Sequence, residues 1–471
     1  MKKVAAFCLM AIMTLTLFIG NALAFTDYSG ATQYTGEVNA TAVMLFDADS
    51  GTILYQKNID QQIEPASTTK IMTCLLALEN GDMNSVVTVS SKAANQAGSK
   101  ITPDRPLVSG EEVVLKDLIN GMMMASCNKA AVAVAEHIGD TTDGFIDMMN
   151  AKASELGMTS THFSVPHGLH ADDHYSTARD MAILTQYAMQ NPQFAQIVGQ
   201  SSYTMPATNK TGARDVKNTN KLLQSDNEYY YQYTTGIKTG STPAGGDCLI
   251  SSASKDGMNL ICIVFGAPYE GTVRWELSKD LLEWGFDNFK TVDMATLLEK
   301  AEPLKITVEN AAASDSGILE FNAPAAGAAY ITLDKAIAEG IMNGANSISV
   351  ETALSSDPLV APITKDDVIG TVTYKDAGTG AVLYTGNLVA PRDVPKVGSE
   401  PSSSGATAVE TQQPMLPETV TNNKNSGIWW WLLLPGALIA FLVIRLLTVN
   451  QRKRKRFRHR QPHYSYRIKK R

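Results

Sequence analysis

The chain has 471 residues, 44% of them hydrophobic and 18% charged, which excludes a disordered polymer and allows two or three domains with cores of their own. Five cysteines, with no CxxC spacing, exclude a disulfide framework and a zinc ribbon. The net charge of −7 hides a split: residues 25–427 carry 26 Lys and Arg against all 47 Asp and Glu, a balance of −21, so the body of the chain does not seek polyanions.

Lys2 and Lys3, the apolar run 4–19 and the small-x-small site Ala22-Leu23-Ala24 read as an export signal, residues 1–24, with Phe25 opening the mature chain. Two β-type runs, 42–46 and 52–55, flank Asp47, Ala48, Asp49, Ser50 and Gly51, the composition of a hairpin turn. A helix follows over 67–80, with Ile71, Met72, Leu75, Leu76 and Leu78 apolar and Gly81 at its end. Residues 114–138 predict two helices broken around Ala125 and Ser126. Further helices are expected over 145–156, closed by Gly157, and 177–189. Strand signals return at 248–250 and 260–265, and an amphipathic helix at 272–284 carries Trp275, Leu277, Leu281 and Leu282. Strands at both ends with helices between predict one sheet built from both termini of this region, with a helical region inserted. From 291 to 395 short alternating runs at 304–308, 318–321, 329–333, 348–350 and 368–374 predict a small all-β domain. Residues 396–427, rich in Ser, Pro, Thr, Asn and Gln, read as a flexible linker.

The C-terminal end carries a second membrane signal. Residues 428–449 are apolar apart from Arg445, with Trp429, Trp430 and Trp431 at the outer edge, and predict one transmembrane helix. Arg445 lies near an end, where its side chain can snorkel to the headgroups. Eleven Lys and Arg and no acid fill the tail 450–471, which places the tail in the cytoplasm and the body outside the membrane. A nucleic-acid arm is the rival reading of that tail; the span directly before it explains the charge without nucleic acid.

Three motifs carry chemistry. Ser67-Thr68-Thr69-Lys70 puts a hydroxyl and an amine on one helical face at i, i+3. Serine is a poor nucleophile without a base, and lysine serves as one only when burial or a second cation strips its proton. Ser126-Cys127-Asn128 interrupts an apolar helical stretch, so a turn there aims two polar side chains at a cleft: Ser126 as a proton relay, Asn128 to hold Lys70 and a substrate amide. Lys238-Thr239-Gly240, on an expected edge strand, offers a cation and a hydroxyl to a carboxylate, with a glycine that permits close approach. A second Lys-Thr-Gly at 210–212 sits in a polar loop with no strand signal and reads as a decoy. His167, His170, Asp172, Asp173 and His174 form a possible metal cluster; the chain lacks HExxH, and a polar loop is the plainer reading. Neither metal nor cofactor is expected.

These residues together resemble the low-molecular-mass penicillin-binding proteins, specifically the serine-type D-alanyl-D-alanine carboxypeptidases. The surroundings match as well: Glu64-Pro65-Ala66 before Ser67, Pro166-His167-Gly168-Leu169, Ser176 to Asp180, Gly236-Ile237 before Lys238, and Leu282 to Phe286. The likeness is strong over 36–290 and rests mainly on domain order, an all-β domain after the catalytic one, over 291–395. It implies an α/β (α+β) penicillin-binding/β-lactamase-like catalytic domain, residues 25–290, with an antiparallel sheet and an inserted helical region. It further implies that Ser67 forms an acyl-enzyme, Lys70 is the general base, Ser126 assists proton transfer and Asn128 binds substrate. Lys238, Thr239 and Gly240 would hold the substrate's carboxylate, and the backbone N–H groups of Ser67 and Ser241 the oxyanion. The implied activity removes the terminal D-Ala from peptidoglycan stem pentapeptides, with β-lactams as inhibitors. The span departs from the amphipathic anchor of many relatives. A serine β-lactamase shares the three motifs but needs fast deacylation, and no loop glutamate between Ser126 and Lys238 stands out for it. A non-catalytic wall-binding protein is the remaining alternative, against which the intact motifs speak.

Overall fold

The computed structural model describes residues 25–398, apart from 29, 31 and 322–329. The expected signal, transmembrane helix and basic tail, and the linker from residue 399 on, lie outside the described residues. Among the described residues no helix is long and apolar enough to cross a membrane.

One six-stranded sheet organises residues 25–290. Strands β1 (Thr26–Asp27), β2 (Ala42–Asp47) and β3 (Thr52–Lys57) come from the start of this region. Strands β4 (Thr234–Thr242), β5 (Gly246–Lys255) and β6 (Met258–Ala267) come from its end. The order is β1-β3-β2-β6-β5-β4, antiparallel except where β1 pairs with β3. The two ends of the region thus share a sheet, as the strand signals predict. The β2–β3 turn is closed by the Asp47 carboxylate, which accepts from the N–H of Ser50 at 2.7 Å, and by Gly51 at φ +71°.

Both faces of this sheet are covered, which explains why its strands read as near-continuous apolar runs. In β2 the alternation of side chains sends Ala42, Met44 and Phe46 into a helical body and Val43 and Leu45 to the opposite face. There they meet Trp275, Leu277, Leu281 and Leu282 of a helix over Val273–Asn288, longer at its C-terminal end than the sequence suggests. The helical body holds α1 (Lys70–Asn80), α2 (Leu115–Met124), α3 (Asn128–Ile138), α4 (Thr142–Glu155) and α5 (Ala178–Met189). Thr141 and Thr177 cap α4 and α5, accepting from the N–H groups of Gly144 and Asp180. In α1, Ile71, Met72, Leu75 and Leu76 are buried, each worth about 1.5–3 kcal/mol of transfer free energy. That anchorage fixes the start of α1, where the chemistry sits.

From Val292 a second hydrophobic cluster takes over, built from Leu297, Ile306, Leu319, Ile341, Val372 and Leu388 among others. Its strands form a pair (Phe289–Asp293 with Tyr330–Asp334) and two three-stranded sheets. The expectation of an all-β domain is corrected here: Met294–Leu298 and Lys335–Met342 are helices. The second is short and amphipathic, burying Ala338 and Ile341, and its eight residues sit between strand signals that mask it. This domain touches the catalytic sheet through polar contacts. Thr291 donates to the Asp47 carboxylate at 2.9 Å, Ser50 and Thr332 hydroxyls lie 2.7 Å apart, and Tyr28 and Thr32 bond the Asp334 carboxylate.

Candidate active site

The local backbone at Ser67 is a tight 3-10 turn, Ala66–Thr69, rather than the first turn of the α-helix, which starts at Lys70. Ala66 sits in the left-handed region at φ +47°, a conformation that costs energy for a residue with a side chain and recurs at functional sites. Its neighbour across the cleft is Gly168, at φ +80°, where an added Cβ would lie 1.8 Å from the Ala66 carbonyl oxygen. Only glycine lets the loop Pro166-His167-Gly168-Leu169 press this closely against the turn. The loop is pinned again where Thr73 donates to the Pro166 carbonyl at 2.6 Å.

Lys70 is the centre of the arrangement. Its side chain is fully buried, and its Nζ lies 2.9 Å from Ser67 Oγ, 2.7 Å from Asn128 Oδ1 and 2.6 Å from the His167 carbonyl oxygen. Burial pulls its ammonium down to about 7. The neighbouring Cys127 thiol is itself pushed up by burial, so it stays neutral near pH 7 and lends Lys70 no counter-charge. Asn128 bridges outward, donating from Nδ2 to the Ala97 carbonyl at 2.9 Å. Ser67 keeps part of its surface open, so the hydroxyl is reachable.

The second motif lies at the helix junction that its sequence predicts, with Ser126 at φ +56° between α2 and α3. Ser126 is nearly buried, and among the described residues its hydroxyl makes no hydrogen bond. Asn128 therefore reaches Lys70 directly, whereas Ser126 does not.

The third motif runs along β4, the edge strand of the sheet. Gly240 brings that edge against the nucleophile: an added Cβ would stand 3.0 Å from both Ala66 Cβ and the Ser67 amide nitrogen. Lys238 is buried, and its Nζ donates to the Thr239 carbonyl at 2.9 Å. Burial lowers its ammonium well below the ordinary value, with the like charges of Lys70 and Arg274 adding to the effect. Thr239 Oγ1 lies 2.7 Å from Thr219 Oγ1. Ser241 Oγ donates to Asp247 at 2.6 Å. Thus Ser67, Lys70, Asn128, Lys238, Thr239 and Gly240 converge, with Ser126 buried at the α2–α3 junction and Ser241 exposed beside Gly240 on β4.

The histidine cluster is scaffold. His174 Nδ1 accepts from the Ser164 N–H at 3.1 Å, which leaves Nε2–H to donate to Thr69 Oγ1 at 2.8 Å; Thr69 in turn donates to the Ala66 carbonyl at 2.8 Å. His167 Nδ1 accepts from the Leu169 N–H at 3.1 Å. Burial holds His167 down to about 3 and His174 to about 4, so both are neutral at pH 7. His170 turns away to Glu64, at 2.8 Å. Among the described residues no group of three or more His, Cys, Asp or Glu could hold a metal ion. The Lys210 to Gly212 copy lies in a surface turn tied to Gly110 through Asn209. Cys74, Cys127, Cys248 and Cys262 are all buried and free.

Three supporting residues escaped the sequence. Arg274 donates to the Gly240 carbonyl at 3.1 Å and pairs with Asp247 at 3.0 Å, bracing β4 from behind. Gly98, at φ +93°, faces Asn128 so closely that a Cβ would lie 2.2 Å from its Nδ2. Neither follows a local signal, because each matters only to a partner at least 27 residues away. The third is the carbonyl of His167: the loop was legible as a motif, its backbone role was not. A separate open depression of about 310 Å³, lined by Ser201, Ser202, Asp215, Lys217, Gln224 and Asp226 among others, contains none of the motif residues, and an ion pair between Lys217 and Asp226 at 2.8 Å spans it.

Residues 29–269 match the D-alanyl-D-alanine carboxypeptidase family, and residues 341–396 match the penicillin-binding protein 5, C-terminal domain family. The D-alanyl-D-alanine carboxypeptidase DacF of Bacillus subtilis is 31% identical over 405 residues, 84% of this chain and 96% of that protein. DacC of Escherichia coli is 32% identical over 349 residues, 72% of this chain and 80% of that protein. Among solved structures, penicillin binding protein 5 of Haemophilus influenzae superposes with a TM-score of 0.62 at 31% identity, covering 78% of this chain and all of that one.

Proposed function

The chain belongs to the D-alanyl-D-alanine carboxypeptidase family of serine hydrolases, and on that premise we propose that it works by acylation of Ser67, with Lys70 as the base. The observation that carries this reading is the set of partners around Lys70 Nζ. A neutral amine has two N–H groups and one lone pair. Two of the three contacts, Asn128 Oδ1 and the His167 carbonyl, can only accept. They take the two N–H groups, and the lone pair is left facing Ser67 Oγ at 2.9 Å. An ammonium would donate to all three partners; once deprotonated, Lys70 keeps both acceptors and can turn its lone pair to Ser67 Oγ, and burial brings that deprotonation down to about 7.

In the proposed cycle the Ser67 proton passes to Lys70 as Oγ bonds the penultimate carbonyl carbon. The C–N bond then breaks, and the departing D-Ala amine takes that proton. Water, deprotonated by Lys70, attacks the ester; the acid is released and Ser67 recovers its proton. The Ser67 and Ser241 N–H groups are assigned to the oxyanion, consistent with the close approach of Gly240 to the Ser67 amide. Ser126, at the α2–α3 junction, assists transfer to the leaving amine. Lys238 and Thr239 take the terminal carboxylate, whose charge offsets the neighbouring cations and favours the protonated form of Lys238. The proposed substrate is the peptidoglycan stem pentapeptide, and β-lactams acylate the same serine. The reading also includes export by residues 1–24 and anchoring through 428–449, which alkaline extraction of membranes and protease access from outside would test.

The deciding experiment incubates the full-length chain in detergent with a pentapeptide ending in D-Ala-D-Ala, with and without penicillin, and follows free alanine and protein mass. Alanine release, blocked by a stable one-penicillin adduct on Ser67, is expected. Rapid penicillin turnover would favour a β-lactamase. An inert protein without adduct would overturn the acyl-enzyme reading.

A further inference from the structure

The contact between Thr219 and Thr239 is not used by the mechanism above. Thr219 lies between strand Arg214–Lys217 and the 3-10 turn Lys221–Leu223, on a segment held from both sides. Asn218 donates from its N–H to the Ser201 carbonyl and from Nδ2 to the Gln200 carbonyl, both at 2.8 Å. Asn220 donates from Nδ2 to the Gly236 carbonyl in β4 at 3.0 Å. Thr219 itself donates from its N–H to the Met124 carbonyl at 2.9 Å, two residues before Ser126. Both asparagines are buried, while the Thr219 side chain is exposed. The result is a fixed backbone that presents one solvent-facing hydroxyl to Thr239, at 2.7 Å between oxygens.

That pair has two possible directions, and only one suits a carboxylate. A hydroxyl owns a single proton. If Thr239 gives its proton to Thr219, it turns lone pairs toward an arriving anion and repels it. If Thr219 gives its proton to Thr239, the Thr239 proton is free for the carboxylate, and the chain of two O–H groups polarises in the favourable sense. A residue without a hydroxyl at 219 removes the donor that fixes this direction. We propose that Thr219 is a positioning residue that orients the Thr239 hydroxyl as a donor to the substrate's terminal carboxylate. The inference rests on the functional reading given above for Thr239.

The test compares wild type, Thr219→Val and Thr219→Ser, each as the full-length chain in detergent. The substrates are a peptide ending in D-Ala-D-Ala and the same peptide capped as a C-terminal carboxamide, which can itself donate and so needs no directed hydroxyl. Thr219→Val is expected to lower kcat/KM for the carboxylate peptide about tenfold, the typical scale of a hydrogen bond to a charged group. The carboxamide should change by less than about twofold, and Thr219→Ser should restore the carboxylate preference. Thermal melting should be unaltered in both variants, since the side chain is exposed. An active wild type with Thr219→Val unimpaired, or impaired equally on both peptides, overturns the inference alone, as does failure of Thr219→Ser to restore preference. A wild type that cleaves neither peptide, releasing alanine from the first or alaninamide from the second, overturns the functional reading and the inference with it.

Discussion

The two folded regions of this chain handle polar groups in opposite ways. In residues 25–290 the core contains Lys70, Lys238, Asn128 and Asp247, together with a fully buried ion pair between Arg214 and Glu111 at 2.7 Å. In the region from Val292 on, the core is almost wholly apolar, and the ion pairs Lys305–Glu320 and Lys375–Glu351 lie at the surface. The exceptions are Thr332, whose hydroxyl meets those of Ser50 and Thr291, and Asp376, whose carboxylate Asn346 and Thr379 satisfy in a turn. Burying a charge costs several kcal/mol, so a fold accumulates such groups only where something else requires them. In the catalytic region the proposed chemistry supplies that requirement: a lysine whose burial lowers its hold on a proton to about 7. The β-rich region shows no comparable cluster among the described residues.

If this contrast is real, variants in the two regions should differ by orders of magnitude in effect. Lys70→Ala should lower penicillin acylation by about 10²–10⁴-fold, with Ser67→Ala abolishing the adduct in the mass spectrum. In the wild type the acylation rate should climb as pH rises through about 7, where Lys70 loses its proton, and level off above; a rate independent of pH between 5 and 9 would remove Lys70 as the base.

The glycines offer a sharper comparison, because two share a backbone conformation and differ only in surroundings. Gly168 and Gly157 both have φ near +80°, but nothing lies within 4 Å of a Cβ at Gly157. Gly157→Ala should cost about 1–2 kcal/mol, the left-handed penalty alone. Gly168→Ala should cost about 3 kcal/mol or more in chemical denaturation and displace the His167 carbonyl from Lys70, slowing acylation with it.

Acid should find the catalytic region first. His167 and His174 are held below their ordinary value of 6.5, at about 3 and about 4. As pH falls below 6.5 the unfolded chain takes up protons that these folded-state imidazoles refuse, so stability falls with pH down to about 4. For His174 alone the loss is on the order of 3 kcal/mol, read as a declining denaturation midpoint, and His174→Gln should flatten the decline. The smallest effect belongs to the β-rich region: Lys305→Ala, which removes one partner of an exposed pair, should change stability by less than about 1 kcal/mol.

Much of this molecule was legible from its residues. The break at Ser126, the helix start at Thr177, the helix end at Gly157, the β2–β3 hairpin and the sheet shared by both ends of the catalytic region all follow local periodicity and turn chemistry, which act between neighbours in sequence. The three motifs singled out Ser67, Lys70, Asn128, Lys238 and Thr239, which the fold brings together, because each motif fits within four residues. The helices at Met294–Leu298 and Lys335–Met342 were missed because five and eight residues are too few to display a helical period beside β-rich flanks.

What the sequence determined by itself was the inventory: a hydroxyl and an amine one turn apart, a polar junction, a cation on an edge strand, and an apolar pattern able to hold them. Tertiary structure alone decided the state of that amine. Burial lowers its hold on a proton; Asn128, 58 residues on, and a backbone carbonyl 97 residues on accept hydrogen bonds from it; and Gly98, Gly168 and Arg274 hold those partners or the facing strand in place. Desolvation and hydrogen-bond direction are properties of what surrounds an atom, and those surroundings exist only once distant stretches of the chain have packed together.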